Sequence, residues 1–183
     1  INESNLNFEN NIVVNDGINN LIINSSKINY DLDKRKIVSQ DYSEIFDDLN
    51  NTYKVDGFEY SIKDRIIKLN NLVAQDKNKN SFLVDLSFLD LNKKELIAKD
   101  ISMNFKLNEN SENEPRLKGR SLISDKRNTI VKKGTFTFCK KRDKCPPWEM
   151  SAEEIRHDKQ KKTIYYKNAS LKIYDKKVFY FPK

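Results

Sequence analysis

The chain is poor in the residues that most chemistry requires. Its 183 residues include four glycines, four prolines, two cysteines, one tryptophan and one histidine. Four glycines leave no Gly-rich phosphate loop, one histidine leaves no nucleophile–histidine motif, and no acid pair stands out, so an enzyme is not expected. Zinc takes four ligands, usually Cys or His, and His157 sits in a turn beside Asp158; no metal and no cofactor is expected. No apolar run approaches ~20 residues and no export signal is visible, so a membrane-spanning helix is not expected. The chain, which starts at Ile1, reads as a fragment or a mature form.

What is present is charge, Asn, and a steady supply of Ile, Leu, Phe and Tyr. A third of the residues are charged, yet there are ten Phe and eight Tyr. Disordered chains lack that aromatic and β-branched content. Net charge is +7, unevenly placed: residues 1–100 hold 13 Lys and Arg against 17 Asp and Glu, whereas 101–183 hold 21 against 10. A basic second half suits phosphates of nucleic acid or of lipid headgroups, or is simply a solvated lysine face.

Period-two alternation predicts strands. "SFLVDLSFLDL" puts Phe82, Val84, Leu86 and Phe88 on one side; "TIYYKNASLKIYDKKVFYF" puts Ala169, Leu171 and Ile173 on one side after Ile164 and Tyr166. Turn signals recur at Asp31, Asp64, Asn92, Asp125 and Asp158, each with an apolar lead-in, a basic cluster and a β-branched or Leu restart. Short Asp and Asn side chains bond nearby backbone and so favour turns. The reading is one all-β domain over 1–183: an antiparallel β-jelly roll, or β-roll of stacked hairpins, with an open lipid groove where the sheets fail to close. "DYSEIFDDLNNTY" (41–53) is expected as a short helix or loop, and 106–119 as a polar loop.

The rare residues gather in "GTFTFCKKRDKCPPWEM" (134–150). The spacing of Cys139 and Cys145 is wrong for a CxxC redox pair. A disulfide between them would contribute roughly 2 kcal/mol and imply an oxidising compartment; two free thiols are the alternative.

From Gly134 to Pro182 the residues G-x-F-T-x-C, W-x-x-x-A-x-x-I, H-D, Y-x-N-A-x-L-x-I and V-x-Y-x-P follow in order. This stretch resembles the LPS-assembly protein family (LptD, also called OstA or organic solvent tolerance), in its N-terminal periplasmic domain. The resemblance implies a periplasmic β-jelly roll, attached to the outer membrane in the full-length protein. Such a domain binds lipopolysaccharide acyl chains and conducts them from a periplasmic bridge to the outer-membrane translocon. Implied partners are lipopolysaccharide, a bridge protein of the same roll fold joined by strand addition, and an outer-membrane β-barrel with its plug lipoprotein. The barrel is expected after Lys183. In many members the cysteine matching Cys139 pairs with one in the barrel, which competes with a local bond to Cys145.

Burying a lipid chain contributes about 0.8 kcal/mol per methylene, so an apolar groove is sufficient for the task. The candidate lipid-binding residues are Phe82, Val84, Leu86 and Phe88; Phe136, Phe138, Trp148 and Met150; Ala169, Leu171 and Ile173; and Val178 and Tyr180. Phe58, Tyr60 and Ile62 are secondary candidates. Lys132, Lys133, Lys140, Lys141, Arg142 and Lys144 would face anionic headgroups or solvate the cysteine loop. Two rivals stand beside this reading. One is a soluble LptA- or LptC-like bridge protein, against which the Trp148–Ala152–Ile155 and Asn168–Ala169 motifs argue. The other is a basic nucleic-acid-binding β-domain, against which the alternation of Phe136 and Phe138 as inward positions argues.

Overall fold

Among the described residues fifteen antiparallel strands, linked mainly by hairpins, form one continuous sheet. The computed structural model describes residues 4–47, 52–75, 81–104, 113–140, 147–174 and 176–182, with backbone alone at 75, 113, 114, 139 and 140. In chain order the strands are β1 (Asn5–Asp16), β2 (Leu21–Asp31), β3 (Lys36–Ser39), β4 (Ser43–Phe46), β5 (Thr52–Val55), β6 (Gly57–Ser61), β7 (Ile66–Gln75), β8 (Ser81–Asp90), β9 (Glu95–Asn104) and β10 (Asn113–Ser124). They continue as β11 (Asn128–Lys140), β12 (Trp148–Asp158), β13 (Thr163–Lys167), β14 (Ala169–Ile173) and β15 (Lys176–Phe181). From β7 to β12 each strand pairs with its sequence neighbour. Elsewhere long strands are split: β3 and β4 face the two halves of β2, β6 and β5 those of β7, and β13 and β14 those of β12.

The hairpin turns explain the recurrent Asp. Asp31 Oδ1 accepts the Lys34 N–H at 2.9 Å, Asp90 Oδ1 those of Asn92 and Lys93 at 3.0 Å, and Asp158 Oδ1 those of Gln160 and Lys161 at 3.0 Å. The last turn residue is left-handed at Asn20, Arg35, Arg65, Lys94 and Lys162. Two of the expected turn markers are displaced. The capping positions are Ser61 and Asp90, whereas Asp64 and Asn92 lie inside their turns. Asn92 Nδ2 instead donates to the Asp64 carbonyl of the neighbouring turn, 2.9 Å away. The turns are further tied in pairs, Ile62 N–H to Arg35 O and Leu91 N–H to Arg65 O.

A line of irregularities crosses the sheet at mid-strand. Left-handed residues fall at Asn10 and Asn11 in β1, Asn71 in β7, Asp100 in β9, Lys133 in β11, and Asn168 between β13 and β14. Asn and Asp tolerate this conformation better than other non-glycine residues, and one such residue produces a bulge and a bend. Across the line the inward-facing parity reverses. Buried residues run Ile67, Leu69 then Leu72, Ala74 in β7; Val84 then Ser87, Leu89 in β8; and Ala98 then Ile101, Met103 in β9. The sheet thus folds into two leaves whose inner faces share one hydrophobic cluster. Near the fold line side chains must be small. A Cβ on Gly119 would stand 2.3 Å from Val131 Cγ1, and one on Gly134 would stand 2.6 Å from Ile155 Cδ1. Ser25, Ser39 and Ser43 are buried there and bond one another at 3.0–3.1 Å.

In their described parts, two expected irregular segments are largely strand. Ser43–Phe46 and Thr52–Val55 pair antiparallel as β4 and β5, so no helix forms over the described part of 41–53. Pro115 lies in β10, in line with β11 but one residue beyond the pairing with β9, where a missing N–H breaks no ladder bond to β9.

Candidate functional site

One row of side chains crosses, on twelve strands, the inner face of the upper leaf, the one that carries Ala74 and Met103; the lower leaf carries the Asp31, Asp90 and Asp158 turns. Registers connect Val14, Ile23, Ile45, Tyr53, Ala74 and Phe82 on β1 to β8. The row continues through Met103, Leu117, Phe136, Met150, Leu171 and Phe179 on β9 to β15. Every member is apolar or aromatic. At a strand spacing of about 4.8 Å the row is about 50 Å long.

Burial along this row is graded. Ile23 and Ile45 are 0% exposed; Phe136, Met150 and Leu171 are half-buried; Phe179 is 60% exposed. From β2 to β9 the leaves close on each other and the interior is filled by its own side chains, so the expected open groove does not extend through that part. Toward β11–β15 the same inner face is progressively uncovered. Phe136 and Trp148 meet there with ring centroids 6.1 Å apart and planes at 56°. Thr137 Oγ1 donates to the Trp148 carbonyl at 2.7 Å and ties β11 to β12. On the lower leaf, Tyr166 lies opposite the buried Ile155, and desolvation raises its phenol pKa above the ordinary value.

The expected lining residues divide by position. Phe82, Val84, Phe136, Met150, Ala169 and Leu171 share the inner face; Trp148 and Ile173 are paired with each other at its outer end, and Phe138 is half-buried beside Pro115. Phe88 does not belong: parity reverses at Asp85–Leu86, so Ser87 and Leu89 turn inward while Phe88 is 39% exposed on the outer face. Leu86 is half-buried at the reversal. Val178 and Tyr180 are also misplaced. A register shift at Leu171/Lys172 sets Phe179 opposite Leu171 and Phe181 opposite Ala169, which makes Phe179 and Phe181 the inner-face residues. Tyr180 pairs with Ser170, and its hydroxyl donates to Asn168 Oδ1 at 3.2 Å. Phe58 and Tyr60 are buried core near the closed end, and Tyr60 Oη donates to Asp16. Burial and this bond to a carboxylate raise the Tyr60 pKa.

The side chain of Cys139, all of Cys145 and the basic segment 141–146 lie outside the described residues, as does the Lys140 side chain. The polar concavities lie on the outer face at the fold line, one lined by Asp100, Lys118, Arg120 and Lys133, its neighbour by Thr135, Glu153, Asn168 and Ser170. Among the described residues no group of three or more His, Cys, Asp or Glu is placed to hold a metal ion, and no helix is long and apolar enough to cross a membrane. No known family model and no curated protein matches the chain.

Proposed function

We propose that the protein is a β-jelly roll that takes lipid acyl chains between its leaves at the β11–β15 end. The carrying observation is the twelve-strand apolar row whose burial falls away toward Phe179. A chain lying against Phe136, Trp148, Met150, Leu171 and Phe179 would extend the protein's own core. Each buried methylene would contribute about 0.8 kcal/mol, and no residue need perform chemistry. Movement is sliding between equivalent apolar contacts.

The resemblance of 134–182 to the LPS-assembly family makes lipopolysaccharide the proposed ligand and the periplasmic side of the outer membrane the proposed location. A roll-type bridge protein, a following barrel and its plug lipoprotein are the proposed partners. Strand addition has two exposed edges available, β1 at one end and β13 with β15 at the other. A soluble bridge of the same roll type would use the same inner face.

One observation favours the nucleic-acid reading. Tyr165 and Tyr180 are exposed, with Arg156 at 4.9 Å and Lys177 at 4.4 Å from their ring centroids. Oligonucleotide binding that weakens steeply with salt would support it over lipid.

The deciding experiment places a photocrosslinking residue at Phe136, Phe138 or Leu171 in cells, with Thr135 as the outward control. Lipopolysaccharide adducts from the first three and none from Thr135 are expected. Protein-only adducts from all four positions would overturn the acyl-chain reading.

A further inference from the structure

A second apolar surface lies on the outside of the lower leaf. Registers set Phe88, Ile97, Ile123 and Ile130 side by side on β8, β9, β10 and β11. They face away from the interior, because Leu89, Ala98, Leu122 and Val131 beside them in sequence are buried. Phe88 and Ile97 are 39% and 42% exposed, and Ile123 and Ile130 are half-buried.

The border of this patch is basic. Lys68 is paired with Phe88 at one end, and Arg156 with Ile130 at the other. Lys99 and Lys132 stand on the outer face nearer the fold line, and the turn tips beyond the patch add Lys93, Lys126, Arg127 and Lys162. The border's acids stand beside cations or turn amides. Glu59 contacts Lys36 and Lys68, Asp100 lies 3.7 Å from Lys99, Glu154 is opposite Lys132 in strand register, and Asp90 and Asp125 accept N–H groups of their own turns. The outer face of the other leaf differs. On β9 to β12 its cross-strand row is Ser102, Lys118, Thr135 and Ser151, preceded by one apolar pair, Val73 and Leu83.

We infer that the lower leaf's outer face rests on an anionic bilayer, with Phe88, Ile97, Ile123 and Ile130 at the boundary of headgroups and acyl chains. Contiguous apolar patches on soluble surfaces mark contact sites. A patch of aliphatic and aromatic side chains ringed by Lys and Arg has the composition of an interfacial membrane contact, in which apolar burial and phosphate attraction add. The surface is distinct from the acyl-chain path, since it lies on the opposite side of the sheet.

The experiment is sedimentation of the full chain with phosphatidylcholine vesicles, with and without about one-third phosphatidylglycerol. Wild type should bind the anionic vesicles at least about ten-fold better than the neutral ones. The variant Phe88→Ser/Ile97→Thr should lose that binding, and so should Lys132→Glu/Arg156→Glu, which leaves every apolar residue in place. Val73→Thr/Leu83→Thr, on the other leaf, should bind as wild type, and circular dichroism confirms that each variant is folded. Phe136→Ser, on the inner face, should retain vesicle binding, which separates this inference from the acyl-chain reading. Equal binding to both vesicle types, or loss in the Val73/Leu83 variant as large as in the Phe88/Ile97 variant, would overturn it. So would self-association or oligonucleotide binding through this face without vesicle binding.

Discussion

At the scale of single residues, the carboxylates that close the turns matter more than the ion pairs, most of which are exposed and contribute little. Backbone N–H bonds hold Asp31, Asp90, Asp125 and Asp158 below the ordinary carboxyl value of 3.8. A carboxyl whose pKa is lower folded than unfolded stabilises the fold above its unfolded value. That stabilisation is lost as pH falls through the folded value. The denaturant midpoint should therefore hold from neutrality to about pH 5 and decline below about pH 4. In the fourfold variant Asp31→Asn/Asp90→Asn/Asp125→Asn/Asp158→Asn the acid decline should be shallower. Parallel declines would show that other groups govern acid sensitivity. The turns were legible in sequence because Asp followed by basic residues recurs. Their capping positions were legible only in part, since Ser61 caps where Asp64 is the more conspicuous residue.

At the scale of strands, the fold line is the feature that periodicity alone misses. Period-two patterns place Phe82 and Val84 correctly and then carry the same phase past Asp85, where the chain reverses it. In an Asn-rich chain, Asn71 and Asn168 do not stand out as bulge residues. Of the 134–182 sequence pattern, Gly134, paired with Ala152, and the buried Ala169, which follows left-handed Asn168, fall on this line. Their small size is required where the leaves converge, so a roll bent at this place demands that part of the motif whatever it carries. Asn71 has φ 48° and donates to Asp56 Oδ2 at 3.0 Å. Both Asn71→Val and Asn71→Gly remove that bond, so their difference isolates the backbone. The valine variant should be less stable than the glycine variant by about 1–3 kcal/mol in denaturant titrations. Equal stabilities would mean that the bend does not depend on the left-handed residue.

At the scale of the whole molecule, one apolar row runs from a closed part at Ile23 and Ile45 to an uncovered end at Phe179, where the proposed function puts the ligand. Ile45→Ala, in the closed part, should cost about 2–5 kcal/mol. Phe179→Ala should cost less than about 1 kcal/mol, because that ring is already 60% exposed. If the acyl-chain reading holds, Phe179→Ala should still reduce lipopolysaccharide crosslinking from Leu171, its cross-strand partner. A large stability loss at Phe179 would instead make it ordinary core.

Local chemistry was enough to specify an all-β chain, its antiparallel hairpins and the apolar character of one side of each half-strand. Alternation and turn-forming side chains act over a few residues and need no distant partner. Which side is inside, and where inside gives way to outside, depended on the sheet folding across all its strands together. A one-residue bulge exchanges the two faces of everything beyond it. Phe88 was thereby turned outward and Phe179 inward by neighbours that no local pattern contains.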